Sequence, residues 1–207
     1  MPAELRDESF RPEVVSSEVA FHGKIWDVRR DVFRYGDGEL TREYVDHTGA
    51  VGVLALDDED RVLLIKQYRH PVRHREWELP AGLLDMDNED PLEAAKRELG
   101  EEADLEADEW DLLQDVFSSP GGNDEVIRLY LARSVRSTGS AFDREAEEAD
   151  IELAWVPLDD AVEAVLGRTL HNAPLMIAVL TAKAARDAGW STLGPADAPW
   201  PDHPKRD

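Results

Sequence analysis

A chain of 207 residues with 42% hydrophobic content can bury a core of its own and fits one α/β domain with at most a small appendage. It contains no cysteine, which excludes disulfides, thiolate metal sites and thiol catalysis and suits a reducing, cytoplasmic setting. The net charge of −23, from 46 acidic and 23 basic residues, sets the surface against nucleic acid and anionic membranes, and an anionic small substrate would need a cation to enter.

The opening segment, up to Glu13, is polar and acidic, without the basic start and apolar run of a signal peptide. No stretch reaches the roughly 18 apolar residues of a membrane span. From Glu13 to about Val45, short alternating runs (Ser17–Phe21, Ile25–Phe33, Leu40–Val45) are separated by turn signals and predict an antiparallel β unit. Val51–Leu56 reads as a buried strand, Val62–Arg69 as a second, and Glu76–Gly82 as a short extended piece ending in a loop. The clearest helix runs from Pro91 to about Ala103. Asp90 suits the N-cap, Pro91 the first turn and Glu93 a capping box, and Leu92, Ala95, Leu99 and Ala103 recur at core-facing spacing.

Strands are expected near Leu112–Phe117 and Val126–Ala132, joined by the loop Ser118–Glu125, and a third at Ile151–Val156. Helices are expected at Leu158–Leu166 and Ala173–Ala188, and the proline-rich tail from Gly194 is read as irregular. Strands, one helix, more strands, then helices is not the regular alternation of a doubly wound sheet. It suits an α/β (α+β) fold with a mixed sheet sandwiched by helices.

On the Pro91–Ala103 helix, Glu98 and Glu102 are four apart and share a face, Glu101 borders it, and Arg97 can pair with Glu101. Carboxylates this close are either screened by solvent, as an ordinary charged helix face, or neutralised by a cation, and Mg²⁺ suits an all-oxygen cluster. Gly82, Glu89, Arg97, Glu98, Leu99, Glu101, Glu102 and Leu105 together resemble the Nudix box, G-x5-E-x7-R-E-U-x-E-E-x-G-U, where U is a bulky aliphatic. Two positions depart from it. Six residues rather than five separate Gly82 from Glu89, and Asp104 stands where the motif has its last glycine, a backbone position that aspartate tolerates better than most residues.

The resemblance implies a Nudix-type α/β/α sandwich at residues 49–192, an N-terminal β unit at 1–48 and a tail at 193–207. It implies that Glu98, Glu102 and the main-chain carbonyl of Ala81 ligate Mg²⁺, with Mn²⁺ a possible substitute. Glu101 would be a ligand or, held by Arg97, a catalytic support, and Glu89 a peripheral ligand or a structural residue. The chemistry implied is hydrolysis of a pyrophosphate bond. Within the family, Gln67-Tyr68-Arg69, the segment Trp77–Gly82 with Glu78, and Pro120 placed 15 residues after Leu105 resemble the ADP-ribose pyrophosphatases.

In that subgroup Arg69 would bind a substrate phosphate, for which a planar guanidinium is suited, and an acidic loop supplies a catalytic glutamate. Glu148 is chosen here, with Glu147 and Glu145 as competitors. The N-terminal unit would be exchanged within a homodimer, with Trp26, Arg42, Glu43 and Tyr44 placed to line an adenosine pocket. Trp26 serves equally well as core packing. The expected substrate is ADP-ribose, a nucleoside diphosphate sugar. The alternatives are another nucleotide sugar or dinucleotide coenzyme, or a catalytically silent nucleotide sensor.

Overall fold

Alternating side chains and a two-residue turn set the architecture of the N-terminal quarter. Strands β1 (Val14–Phe21), β2 (Asp27–Tyr35) and β3 (Gly38–Asp46) pair antiparallel in the order β1-β2-β3. Tyr35 pairs with Gly38 across Gly36-Asp37, and the φ of 59° at Gly36 is the positive value a tight hairpin asks for. The computed structural model describes residues 5–139, 142 and 151–205. The segment up to His47 forms one unit with Ser119–Glu125 and the chain from Trp200 on, while Thr48–Ser118 and Val126–Pro199 form a second.

Within the first unit, the loop 119–125 is tied to the end of β3. Val45 N–H donates to Gly122 and Asp124 N–H to the Val45 carbonyl, and the Asp124 carboxylate accepts from His47 N–H at 2.7 Å. Lys205 adds contacts to Asp46, Asp124 and the His47 carbonyl.

The second unit holds two sheets. One is antiparallel in the order β10 (Glu152–Pro157), β5 (Arg61–Arg69), β6 (His74–Glu78). The other runs β11 (Gly194–Pro195), β8 (Leu105–Phe117), β9 (Val126–Ser137), β4 (Ala50–Ala55), β7 (Ala81–Leu83). It is mixed, because β4 lies parallel to β9 while the other pairs are antiparallel.

Both faces of β4 are buried, which explains its near-continuous apolar sequence. Leu54 belongs to a cluster with Leu64, Leu129 and Leu131 and with Leu158, Leu175, Val179 and Ala182 of α2 (Leu158–Leu166) and α3 (Ala173–Asp187). The alternate residues Val51 and Val53 point the other way, and α1 (Pro91–Ala103) also packs on β4. A mixed sheet with helices on both faces is the expected sandwich. No helix among the described residues is long and apolar enough to cross a membrane.

Helix α1 begins and ends as local chemistry dictates. The Asp90 side chain accepts from the N–H of Leu92 at 2.9 Å and of Glu93 at 3.4 Å, worth about 1 kcal/mol. Glu93 does not close a capping box; its carboxylate takes Lys96 Nζ at 2.7 Å. Ala94, Ala95, Leu99 and Ala103 are buried, and Leu99 alone stabilises by about 2 kcal/mol. Leu92 is only half-buried, and Glu102 takes a place on the buried face instead. The helix stops at Asp104, which adopts left-handed backbone (φ 55°, ψ 34°) and returns its N–H to Gly100.

Two strands exceed their expected lengths. β8 starts at Leu105 rather than Leu112, and β9 continues to Ser137. The tail also differs from the irregular reading. Gly194 and Pro195 pair with Leu112 and Asp111, and the carbonyls of Ala198 and Pro199 accept from the buried Arg128.

Candidate active site

Strands β4 and β7 and the C-terminal half of α1 converge. Strand β7 is held against β4 with Ala81 opposite Gly52 and Gly82 opposite Val51, and Leu84 N–H reaches the Gly49 carbonyl. This fixes the main chain at Ala81 and Gly82 beside the helix. Glu102, only 6% exposed, accepts the Ala81 N–H on Oε2 at 2.8 Å. Glu98 approaches so closely that a Cβ on Gly82 would stand 1.9 Å from its Oε1 and 2.0 Å from its Cδ. Glycine is required there for contact rather than for backbone freedom.

Arg97 gathers the other carboxylates. Its Nε and Nη2 donate to the two oxygens of Glu89 at 2.9 and 3.1 Å, and Nη1 donates to Glu98 at 2.6 Å and Glu101 at 3.0 Å. The Glu89 hydrogen bonds, with the charges and hydrogen bonds of Glu98 and Glu101, raise the Arg97 pKa far above its ordinary value. Counted formally, three carboxylates face one guanidinium, an excess of two negative charges, and Glu102 adds a fourth carboxylate held separately by the Ala81 N–H. The oxygen-only donor set fits a hard divalent cation. Among the described residues no three carboxylates yet converge as a ligand set. A cation would therefore compete with Arg97 for Glu98 and Glu101, while the Arg97–Glu89 pair could persist.

The other expected site residues fall into groups. Arg69 and Glu78 meet on neighbouring strands β5 and β6, through Nε at 2.8 Å and Nη2 at 2.7 Å, and Gln67 also donates to Glu78 at 3.3 Å. Glu78 is buried and Arg69 is half exposed. Trp26, Arg42, Glu43, Tyr44 and Pro120 belong to the first unit.

Trp26 stacks on His47 with ring centroids 4.1 Å apart, and His47 faces Glu125 at 3.3 Å. Burial lowers the His47 pKa against the opposing pull of Glu125 and Asp124. Glu43 is held by Arg30 at 2.6 and 2.8 Å, Arg42 by the Thr41 carbonyl, and Tyr44 donates to Asp31 at 3.1 Å. Burial, with the Asp31 contact second, pushes the Tyr44 pKa up to about 12. Pro120 lies exposed in the turn closed by Gly122 N–H on the Ser119 carbonyl. Glu145, Glu147 and Glu148 lie outside the described residues.

The sequence reading missed two contacts. The Gly82–Glu98 approach follows from packing that no spacing rule carries. Asp104 was visible as a departure from the motif, but its carboxylate partner, Phe142 N–H at 2.7 Å, is 38 residues away.

The NUDIX domain family matches residues 46–177. The chain belongs to the Nudix family. It is 41% identical to an ADP-ribose pyrophosphatase of Mycobacterium tuberculosis, over 93% of this chain and 92% of that one. It is 32% identical to a methanol dehydrogenase activator of Bacillus methanolicus, over 82% of this chain and 91% of the relative. A solved structure of an ADP compounds hydrolase superposes with a TM-score of 0.72 at 18% identity, covering 89% of this chain and 99% of that one, which supports the fold.

Proposed function

We propose that this chain hydrolyses the pyrophosphate bond of ADP-ribose with a divalent metal, giving AMP and ribose 5-phosphate. The observation that carries the reading is the set of carboxylates of Glu89, Glu98 and Glu101 around Arg97, with Glu98 and Glu102 laid against the Ala81-Gly82 strand. The 41% identity with an ADP-ribose pyrophosphatase along nearly the whole chain supports the substrate.

In this reading Glu98, Glu102 and the Ala81 carbonyl hold Mg²⁺, or Mn²⁺ in its place, and Glu101 is a ligand or a support steadied by Arg97. When bound, the cation supplies charge neutralisation and Lewis acidity at the pyrophosphate. Arg97 keeps the carboxylates in register, and the Ala81 N–H fixes the Glu102 carboxylate. Arg69, oriented by Glu78, offers its planar guanidinium to a substrate phosphate. Glu148, with Glu147 and Glu145 as competitors, is the proposed acceptor of the water proton.

Trp26, Arg42, Glu43 and Tyr44 are proposed to hold the adenosine part in a homodimer, and Pro120 is proposed as a further substrate-binding residue. Exposed Val14, Val15, Phe21 and Tyr35 in β1 and β2 give such a dimer apolar surface to cover. A cytoplasmic setting suits the cysteine-free composition.

The test is product analysis with Mg²⁺ and a panel of ADP-ribose, ADP-glucose, GDP-mannose, NADH and diadenosine polyphosphates. The expected result is AMP and ribose 5-phosphate formed fastest from ADP-ribose and abolished by EDTA. Faster cleavage of another member would overturn the substrate. No cleavage of any member by folded protein would overturn the activity.

A further inference from the structure

Asp104 occupies the motif's last glycine position, and its left-handed backbone is one that glycine adopts at lower cost. Keeping an aspartate there calls for a use of the side chain, and the structure shows one. Its Oδ1 accepts the Phe142 N–H at 2.7 Å, while its carbonyl accepts Thr138 N–H at 3.0 Å and Thr138 Oγ1 at 3.3 Å. One residue at the C-terminal end of α1 thus ties down both Thr138, just past β9, and Phe142.

The Phe142 ring lies beside Gly100, where a Cβ would meet Cε2 at 3.7 Å. Arg97, Gly100, Glu101, Trp110, Thr138 and Phe142 are among the walls of a cavity of about 630 Å³. Arg97 and Glu101 are also members of the carboxylate cluster, so this cavity borders the site through shared side chains.

We propose that Asp104 is a positioning residue for hydrolysis: its carboxylate seats Phe142 against α1 and sets the cavity wall that faces Arg97 and Glu101. The inference rests on the activity proposed above. A glycine would keep the helix terminus and lose this tie. An asparagine would keep both, because its amide oxygen accepts the same N–H and it tolerates left-handed backbone.

The experiment compares Asp104→Gly and Asp104→Asn with the unaltered full chain, reading three quantities: amide exchange at Phe142, the thermal midpoint, and kcat and KM for ADP-ribose with saturating Mg²⁺. For Asp104→Gly, Phe142 exchange is expected to accelerate at least about tenfold and kcat to fall about tenfold, with KM within about twofold and the midpoint unchanged or raised. Asp104→Asn is expected to keep Phe142 protection and kcat within about twofold of the unaltered chain. Unchanged Phe142 exchange in Asp104→Gly overturns the tie, and faster exchange with unchanged kcat overturns its role in catalysis. An unaltered chain inert toward ADP-ribose refutes the proposed activity instead, while the exchange measurement still decides the tie.

Discussion

At Gly82 a Cβ would overlap the Glu98 carboxylate and approach its Cγ at 2.6 Å. The crowded atoms are the end of a flexible side chain, so the chain can yield by turning Glu98 away rather than by unfolding. Gly82→Ala is therefore expected to leave the thermal midpoint within a few degrees. It should weaken divalent-metal affinity by about tenfold or more, because a proposed ligand has been displaced. Metal titration of the variant checks this, and unchanged affinity would place Glu98 outside the ligand set. Of the residues in this cluster, Arg97, Glu98, Glu101 and Glu102 were legible from the sequence because helical spacing alone puts them on adjoining faces. The Ala81 N–H on Glu102 and the Gly82 contact were not, since both depend on where β7 is laid by its pairing with β4.

Among the elements, α1 was read to the residue because its cap, its proline and its apolar spacing are all local. The first half of β8 was not legible. Leu105–Asp111 is acidic and has no fully buried position, so its own pattern is weak. It is a strand because it pairs with β9, where Arg136 meets Glu106 at 2.9 Å and Arg133 meets Asp111 at 2.8 Å. Cross-strand pairs of opposite charge stabilise a sheet only once the register is known.

The ordered tail had the same cause. Arg128, 2% exposed on β9, donates to both oxygens of Asp115 at 2.8 and 2.9 Å and to the carbonyls of Ala198 and Pro199 at 2.7 and 3.2 Å. Arg128→Ala leaves those acceptors without their donor in a buried setting. Because Asp115 keeps some solvent, the expected loss is about 2–3 kcal/mol, below the usual range for breaking a fully buried pair. Urea denaturation measures it, and a loss under about 0.5 kcal/mol would show that the tail is held by other contacts.

For the whole molecule, a net charge of −23 and an anionic substrate are reconciled by the site itself. The acidic cluster is where a divalent cation would be drawn in, and the guanidinium of Arg69 is the proposed second positive group for the phosphates. Composition excluded thiol chemistry at once, the box pointed to the family, and alternating runs set an N-terminal β unit apart, whereas the grouping of Ser119–Glu125 and of the chain from Trp200 with that unit came only from the fold. The central claim is that the box carboxylates serve metal-dependent cleavage of ADP-ribose. Glu102→Gln is its sharpest probe, because glutamine keeps an oxygen for the Ala81 N–H and so keeps the fold while removing the charge. The measurement is AMP released from ADP-ribose by the unaltered chain and by Glu102→Gln, side by side, with Mg²⁺ and with EDTA. EDTA-sensitive release by the unaltered chain is expected, with a fall of about a hundredfold or more in the variant. Near-normal release by Glu102→Gln, or release that survives EDTA, would contradict the central claim.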